Sequence, residues 1–547
     1  MKSILIGICI LALSYWSIKP LVAEGWFSMH DDTQVGRVVA MGRALRNGQF
    51  PVRWVSDLGF GYGYPLFNFY GPLPYYVGGG LYAVGLSGLT ATKIMFVLGI
   101  VGAAVTMFLF VRQILGSIAG LVAAAAYLYA PYHAVQIYVR GAVGEFWVLV
   151  FLPLILLGLS KRNVIIGSVG LAGAILSHTI LGYVTTLVLL AGIGMYGFWV
   201  LVRRSSPTLL QSLLTILAMG LGLSMFFWLP AFAEMGYTEI AGQIGPTAYW
   251  GDHFVCISQL WHSNWGFGGS IPGCIDGVSF KLGKVHIGLA ILGVLIALVK
   301  QKFFRRARST LLVVTFILVF SLFLLTSSSA PIWRLVPAAS YIQYPWRLLV
   351  YSVLGLSVFA GVGVAIIRQK WMRVAFSFVI ISLIIAVNGK LFVPQYGYAL
   401  DAAAFETDEE LRFRVSKISD EYLPPGIPRP TELSLVPKTT IKVPAEGSVE
   451  TEIDTETYTK AMVTIRSQEP VTINRAHFPG WHYYIEGKEV QPITNHGLPT
   501  FVIPQGIYLF ESRFIDTPVR TVGNVGSLIS LVLIIMFVSR YEKKANA

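Results

Sequence analysis

Apolar runs of about 15 to 23 residues, separated by short polar stretches, make up most of the chain, and such runs are long enough to cross a hydrocarbon core about 30 Å thick as α-helices. They fall at 3–19, 94–111, 115–131, 146–160, 164–178, 183–202, 209–230, 286–299, 310–326, 347–367, 374–391 and 521–539. The pattern predicts twelve spans with both termini on one side. The first run, with Met1-Lys2 before it and Leu21-Val22-Ala23 after it, also has the length of a cleavable leader. Trp16, Lys19 and Pro20 interrupt the approach to that site and favour an uncleaved helix.

The pattern changes in three places. In the loop 20–93, Val35, Val38, Val39 and Leu45 lie near helical spacing, with Arg37, Arg43 and Arg46 between them and Gly48 as a stop. This predicts a short amphipathic helix over Thr33 to Asn47 on the membrane face. Gly71 to Leu86 is apolar but is read as a juxtamembrane helix, because a full crossing would reverse the side of every later basic loop. From about 392 to 520 the chain turns polar and alternates every second residue, as in Ala461-Met462-Val463-Thr464-Ile465 and in Trp481-His482-Tyr483-Tyr484-Ile485 before Glu486-Gly487-Lys488. Alternation plus a glycine turn predicts β-hairpins and a small external β-sandwich. The expected organisation is a transmembrane domain at 1–393 with long external loops at 20–93 and 231–285, a β-rich domain at 394–520, and a last helix and tail at 521–547.

Charge refines this picture. The net charge of +13 would suggest a nucleic-acid partner in a soluble protein, yet the loops assigned to the inside are cationic throughout except for Glu542. The basic excess is therefore an orientation signal, and nucleic acid is not an expected partner. Three cysteines are too few for a disulfide framework or a zinc cage, although Cys256 and Cys274 share one loop and have the opportunity to pair.

Only 13% of residues are charged, so clusters of charge mark candidate chemistry. Asp31 and Asp32 precede the predicted 33–47 helix. They suit two roles: caps for free N–H groups at its start, or a carboxylate pair whose mutual repulsion prepares one member as a general base. Gly59-Phe60-Gly61-Tyr62-Gly63 follows no strand and lacks phosphate-loop spacing. With Tyr64 to Tyr76 it reads as an aromatic interfacial segment, open to sugar stacking. Arg140 and Glu145 flank the entry to the fourth span, and His178, Glu234 and Arg347 sit at the same ends of other spans. In the loop 231–285, Asp252, His253, His262 and Asp276 show no metal-ligand spacing. The middles of the spans carry no Asp, Glu, Lys or Arg, which makes an ion-coupled transporter the secondary reading.

The order of an opening span, an acidic pair before a helix, Pro-Leu-Pro-Tyr-Tyr and a second span led by Lys93 resembles the GT-C superfamily of polyprenyl-phosphate-sugar glycosyltransferases. His30-Asp31, Phe50-Pro51-Val52-Arg53-Trp54, Gly61-Tyr62-Gly63-Tyr64-Pro65, Arg140-Gly141-Ala142 with Glu145, and Gln343-Tyr344-Pro345-Trp346-Arg347 resemble the bacterial membrane proteins called "6-pyruvoyl-tetrahydropterin synthase-related". His477-Phe478-Pro479-Gly480-Trp481 is similar to their external C-terminal domain. The resemblance implies a GT-C-like helical fold in a bacterial or archaeal-type cytoplasmic membrane, with cytoplasmic termini and an external site. It further implies inverting transfer of a sugar from a polyprenyl-phosphate donor to an acceptor hydroxyl on a glycan, lipid or protein. Asp31 would be the base, with Asp32 as the alternative. Arg140, Arg347 and Arg37 would hold the donor phosphate, and Glu145, His178, Glu234, Trp54 and Tyr64 would complete the walls. A divalent metal is compatible with the resemblance. A carrier of lipids or lipid-linked glycans without bond chemistry, and an envelope-assembly scaffold, stand as the competing readings.

Overall fold

The computed structural model describes residues 2–204, 206–240, 248–444, 446–466 and 470–546. Every predicted apolar run contains a helix. The helices are α1 Lys2–Val22, α2 Gln34–Arg46, α3 Leu73–Ala83, α4 Gly88–Leu115, α5 Ser117–Leu128, α6 Val143–Lys161, α7 Val164–Ser177, α8 Thr179–Arg203, α9 Thr208–Leu223, α10 Met225–Glu234, α11 Lys284–Val299, α12 Arg308–Leu324, α13 Leu349–Ala365, α14 Lys370–Asn388 and α15 Pro518–Asn546.

Among the described residues, seven helices are long and apolar enough to cross a membrane, or up to ten if each of three bent pairs counts as one span. The bends are 48° between Ser117–Leu128 and Pro131–Val139, 70° between Thr208–Leu223 and Met225–Tyr237, and 94° between Arg308–Leu324 and Ser327–Leu335. Pro131 accounts for the first, since it brings no N–H to the helical ladder. The apolar helices α7 and α11, at 14 and 16 residues, are shorter than a straight crossing requires. Each of the twelve predicted runs thus contains helix, and several of these helices bend or are short.

The predicted surface helix α2 is instead enclosed: Val35, Val38, Val39, Met41 and Ala44 are all buried. Helix α3 lies directly on it, close enough that a Cβ at Gly79 would sit 2.4 Å from Met41 Cγ. On its other side, Gly36 faces Val415 and Leu411, and Arg43 donates to the Glu406 carbonyl at 3.0 Å. An amphipathic pattern within a loop could not reveal that a segment nearly 400 residues away covers the polar face.

Eleven strands are described. A two-stranded ribbon joins β1 Trp26–Phe27 to β2 Gly397–Tyr398. Strands β3 Ile441–Lys442, β6 Val471–Ile473, β10 Leu498–Phe501 and β9 Ile493–Asn495 form one antiparallel sheet in the order β3-β6-β10-β9. Strands β4 Ser448–Asp454, β5 Tyr458–Ile465, β11 Gly506–Phe514, β7 Trp481–Ile485 and β8 Lys488–Val490 form the other, in the order β4-β5-β11-β7-β8. The β7-β8 hairpin turns at Glu486-Gly487, both at positive φ. Phe501 meets Tyr483 and Phe510 across the sheets at 5.3 and 5.8 Å between centroids.

Aromatic packing ties this block to the first loop. Trp54 is fully buried, edge-on to Trp481 at 5.4 Å and beside Phe514 at 5.6 Å. Such pairs contribute about 1 kcal/mol each beyond area burial. The same contacts remove Trp54 from any ligand.

Candidate active site

The first loop, the α6 entry and the segment before α13 converge on a cavity of about 1000 Å³. Backbone geometry fixes its polar end. The His30 and Asp31 amides donate to the carbonyls of Val139 and Arg140 at 3.0 and 2.9 Å. This runs the loop alongside a π-helical turn at Val135–Val139, a deviation common at functional sites. Gly141 completes the turn at φ +64°, where a Cβ would come within 2.1 Å of Met29 Sδ.

The two aspartates separate from here. Asp32 turns away from the cavity and accepts from Trp26 Nε1 at 3.3 Å, Tyr398 Oη at 3.1 Å and Arg414 Nη1 at 3.3 Å. Asp31 lines the cavity, half-buried, and its carboxylate accepts no hydrogen bond from the described residues. Neither caps α2: the N-cap is Thr33, which makes no side-chain capping bond.

Opposite Asp31, Glu145 is 1% exposed and organises the cations. Arg140 grips it with both terminal nitrogens, at 2.7 and 3.0 Å, and stacks on Trp346 at 4.5 Å. Arg347 Nε donates to it at 3.1 Å while Nη1 donates to the Ile342 carbonyl and Gln343 Oε1, which leaves Nη2 without a partner among the described residues. His178 Nδ1 accepts the Leu181 amide at 3.2 Å, so the ring proton falls on Nε2, 3.8 Å from Glu145 Oε1. One buried carboxylate thus orients two guanidiniums through charge-assisted forks and fixes their position in the wall.

Arg37 forms the adjacent wall. Its Nη2 donates to Ser419 Oγ at 2.7 Å and Glu421 Oε1 at 3.3 Å, and its guanidinium lies over Tyr70 at 4.3 Å. Glu421 and Tyr422 also line the cavity, and both were missed by sequence reasoning. Burial pushes the Glu421 carboxyl up from its ordinary value, with Arg37 opposing and Asp31 adding to the shift. Asp420-Glu421-Tyr422 carries no spacing signal toward Asp31, and only the fold of the β-rich block brings it near.

Three predicted wall residues lie elsewhere. Glu234 accepts from Arg520 at 2.9 and 3.0 Å, from Thr517 at 2.6 Å and from Asn68 at 2.8 Å, a buried network that docks α15 against the first loop. Tyr64 is fully buried, with its hydroxyl accepting the Tyr422 amide at 3.1 Å. Trp54 belongs to the aromatic joint described above. The loop 231–285 instead contributes His253, Gly269 and Ser270, and His30 Nε2 meets the Phe267 carbonyl at 2.8 Å. Cys256 and Cys274 form a disulfide within this loop.

The far end of the cavity is apolar, walled by Ile175, Ile180, Leu221, Phe227, Trp228 and Phe232 from α7 to α10. Among the described residues, no three His, Cys, Asp or Glu side chains gather as ligands for one ion. Asp31 and Glu421 instead face Arg37. Among the described residues, this donor set does not fit a resident divalent metal.

No protein-family model and no curated protein sequence matches the chain. Among solved structures it is similar to the oligosaccharyltransferase AglB of Archaeoglobus fulgidus, in complex with an inhibitory peptide and a dolichol-phosphate, with TM-score 0.45 and 14% identity over 81% of this chain and 62% of that one. It is also similar to the arabinofuranosyltransferase AftD from Mycobacteria, with TM-score 0.42 and 16% identity over 73% and 27% of the two chains. A third similar structure is ArnT from Cupriavidus metallidurans bound to undecaprenyl phosphate, with TM-score 0.30 and 13% identity over 72% and 89%. The chain spans 59% to 62% of the length of the archaeal structures.

Proposed function

We propose that the chain is an inverting glycosyltransferase that moves a sugar from a polyprenyl-phosphate donor to an acceptor hydroxyl on the outer face of the membrane. The observation that carries this reading is the pairing, in one cavity, of an unengaged carboxylate at Asp31 with fixed cations at Arg140 and Arg347. The positive-inside distribution of Lys and Arg supports the outer face as the side of the site.

The chemistry follows from that arrangement. The donor phosphate meets Arg347 Nη2 within the positive field of the neighbouring Arg140 guanidinium, and its isoprenoid chain lies along the apolar wall of α7 to α10. The acceptor hydroxyl gives its proton to Asp31 as its oxygen bonds to the anomeric carbon on the side opposite the phosphate. The bond from that carbon to the phosphate oxygen breaks, and the electron pair leaves on the phosphate. The leaving group needs charge stabilisation and no proton, so cations fixed before the reaction are the appropriate device. Glu145 acts through Arg140 and Arg347 as a positioning residue, and Arg37 holds Glu421 beside Asp31.

The test uses the purified chain in vesicles with a panel of radiolabelled undecaprenyl-phosphate sugars and envelope extract as acceptor. Label should move into a new glycoside with the wild-type chain and not with Asp31→Asn. Translocation of labelled lipid without a new glycoside, or unchanged transfer by the variant, would refute the assignment.

A further inference from the structure

A second cavity, of about 380 Å³, opens between the first loop and the β-rich block and shares no lining residue with the first. Both touch α2: Arg37 faces the large cavity, while Arg43 and Arg46 face the small one. Six residues of helix separate Arg37 from Arg43, an advance of about 9 Å. The small cavity is lined by five cations, Arg43, Arg46, Arg412, Lys438 and Arg475, and three carboxylates, Asp57, Asp454 and Glu456.

Most of these charges have structural employment. Arg43 pairs with Asp57 at 2.6 Å and Arg475 with Asp454 at 3.4 Å. Glu456 accepts the Ser56 amide. Arg46 stacks on Tyr82 and donates to the Tyr82 and Ala83 carbonyls, and its place in the last turn of α2 suits the helix dipole. Arg412 and Lys438 remain. The Arg412 guanidinium lies against Gly61, where a Cβ would be 2.5 Å from Nε, and that buried Nε has no hydrogen-bond partner among the described residues. Its one ion-pair contact, to the exposed Asp408, is long at 3.8 Å. Lys438 is exposed, and its side chain makes no ion pair or hydrogen bond with the described residues. The cavity therefore presents a cationic excess beside carboxylates and the neutral polar side chains of Asn47, Thr440 and Asn474.

We propose that this cavity binds an acidic sugar: Arg412 and Lys438 take its carboxylate or phosphate substituent, and the carboxylates and amides take its ring hydroxyls. The two halves of the lining point to one ligand class. The unpartnered Arg412 Nε and the nearby Lys438 ammonium favour an anionic substituent, and the side chains of Asn47, Thr440 and Asn474 offer partners to the hydroxyls of the ring that carries it. The volume lies at the low end of the range for small-molecule pockets, which suits a single substituted ring. The site is distinct from the proposed transfer site and does not require it to be catalytic.

Calorimetric titration of the full chain in detergent with glucuronate, glucose 1-phosphate, glucose and inorganic phosphate tests this. Saturable binding is expected for one or both acidic sugars, at least tenfold tighter than for glucose or phosphate, and which acid prevails identifies the substituent. Lys438→Gln, a change at an exposed side chain, should weaken that binding at least threefold, and Arg412→Gln with Lys438→Gln at least tenfold, while Asp31→Asn leaves it unchanged. Absence of saturation, equal binding of glucose or phosphate, or insensitivity to Lys438→Gln would overturn the proposal. Loss of binding in Asp31→Asn would reassign the ligand to the large cavity and overturn it as well.

Discussion

The amide of Asp31 donates to the carbonyl of Arg140 at 2.9 Å, so the proposed base and a proposed phosphate-binding cation are joined through the backbone. Gly141 makes this possible by following Arg140 at φ +64° with its α-carbon against Met29. Gly141→Ala would add left-handed strain of about 1–2 kcal/mol and a clash with Met29 Sδ. The expected outcome is a loss of transfer beyond tenfold, out of proportion to the fall in melting temperature. Equal activity of the variant and wild type would show that this register does not matter.

The two adjacent aspartates should respond differently to the same change. Asp31→Asn removes an acceptor that no described residue uses, so the fold should hold while transfer falls by a factor of about 10²–10⁴, the usual contribution of a general base. Asp32→Asn disturbs the bonds to Trp26, Tyr398 and Arg414, and should cost about 1–3 kcal/mol of stability with a smaller effect on turnover. Parallel melting curves and single-turnover assays separate the two. A pair of variants alike in both measurements would refute the division of roles.

This division also shows what the sequence could reveal. Apolar periodicity located every long helix, and the β7-β8 hairpin followed from alternation plus Glu486-Gly487. Arg140, Glu145, His178 and Arg347, which the sequence places at like ends of apolar runs, lie in one cavity at the ends of α6, α7 and α13. Glu234 sits at such an end too, yet Arg520 of the last helix engages it. Trp54 and Tyr64 carry the aromatic character of a sugar platform, but the β-rich block and Tyr422 cover them. Glu421 carries no local signal for the converse reason: its partner Arg37 lies 384 positions away. Local pattern identifies an element and its end, whereas the choice of partner for a polar group depends on tertiary contacts that no period encodes.

Arg347 offers a test of cation geometry apart from cation charge. Its Nε and Nη1 are committed to Glu145, Ile342 and Gln343, and Nη2 remains for a ligand. Lysine keeps the charge and loses the planar fork, so it cannot both hold Glu145 and meet a phosphate. Arg347→Lys should raise the KM for the lipid donor about tenfold or more and leave the acceptor KM near wild type. A variant with both constants unchanged would remove Arg347 from the phosphate site.

A pH dependence should arise at the joint between the first loop and the β-rich block. Glu456 is 4% exposed, and burial, with Asp57 adding to it, pushes its carboxyl from 4.5 up to about 7. A carboxyl raised on folding is held protonated in the folded chain at pH values where the unfolded chain has released the proton. Its contribution is therefore fully present below pH 4.5, declines as pH rises to about 7, and is gone above that. At 1.36 kcal/mol per pH unit the whole span is about 3 kcal/mol. Glu456→Gln keeps a neutral side chain at every pH, so the difference in melting temperature between variant and wild type should grow in the variant's favour from pH 5 to pH 8. Comparing the two proteins cancels every other group that titrates in that window. A difference that stays constant across the window would show that Glu456 titrates normally and that its burial is relieved by water.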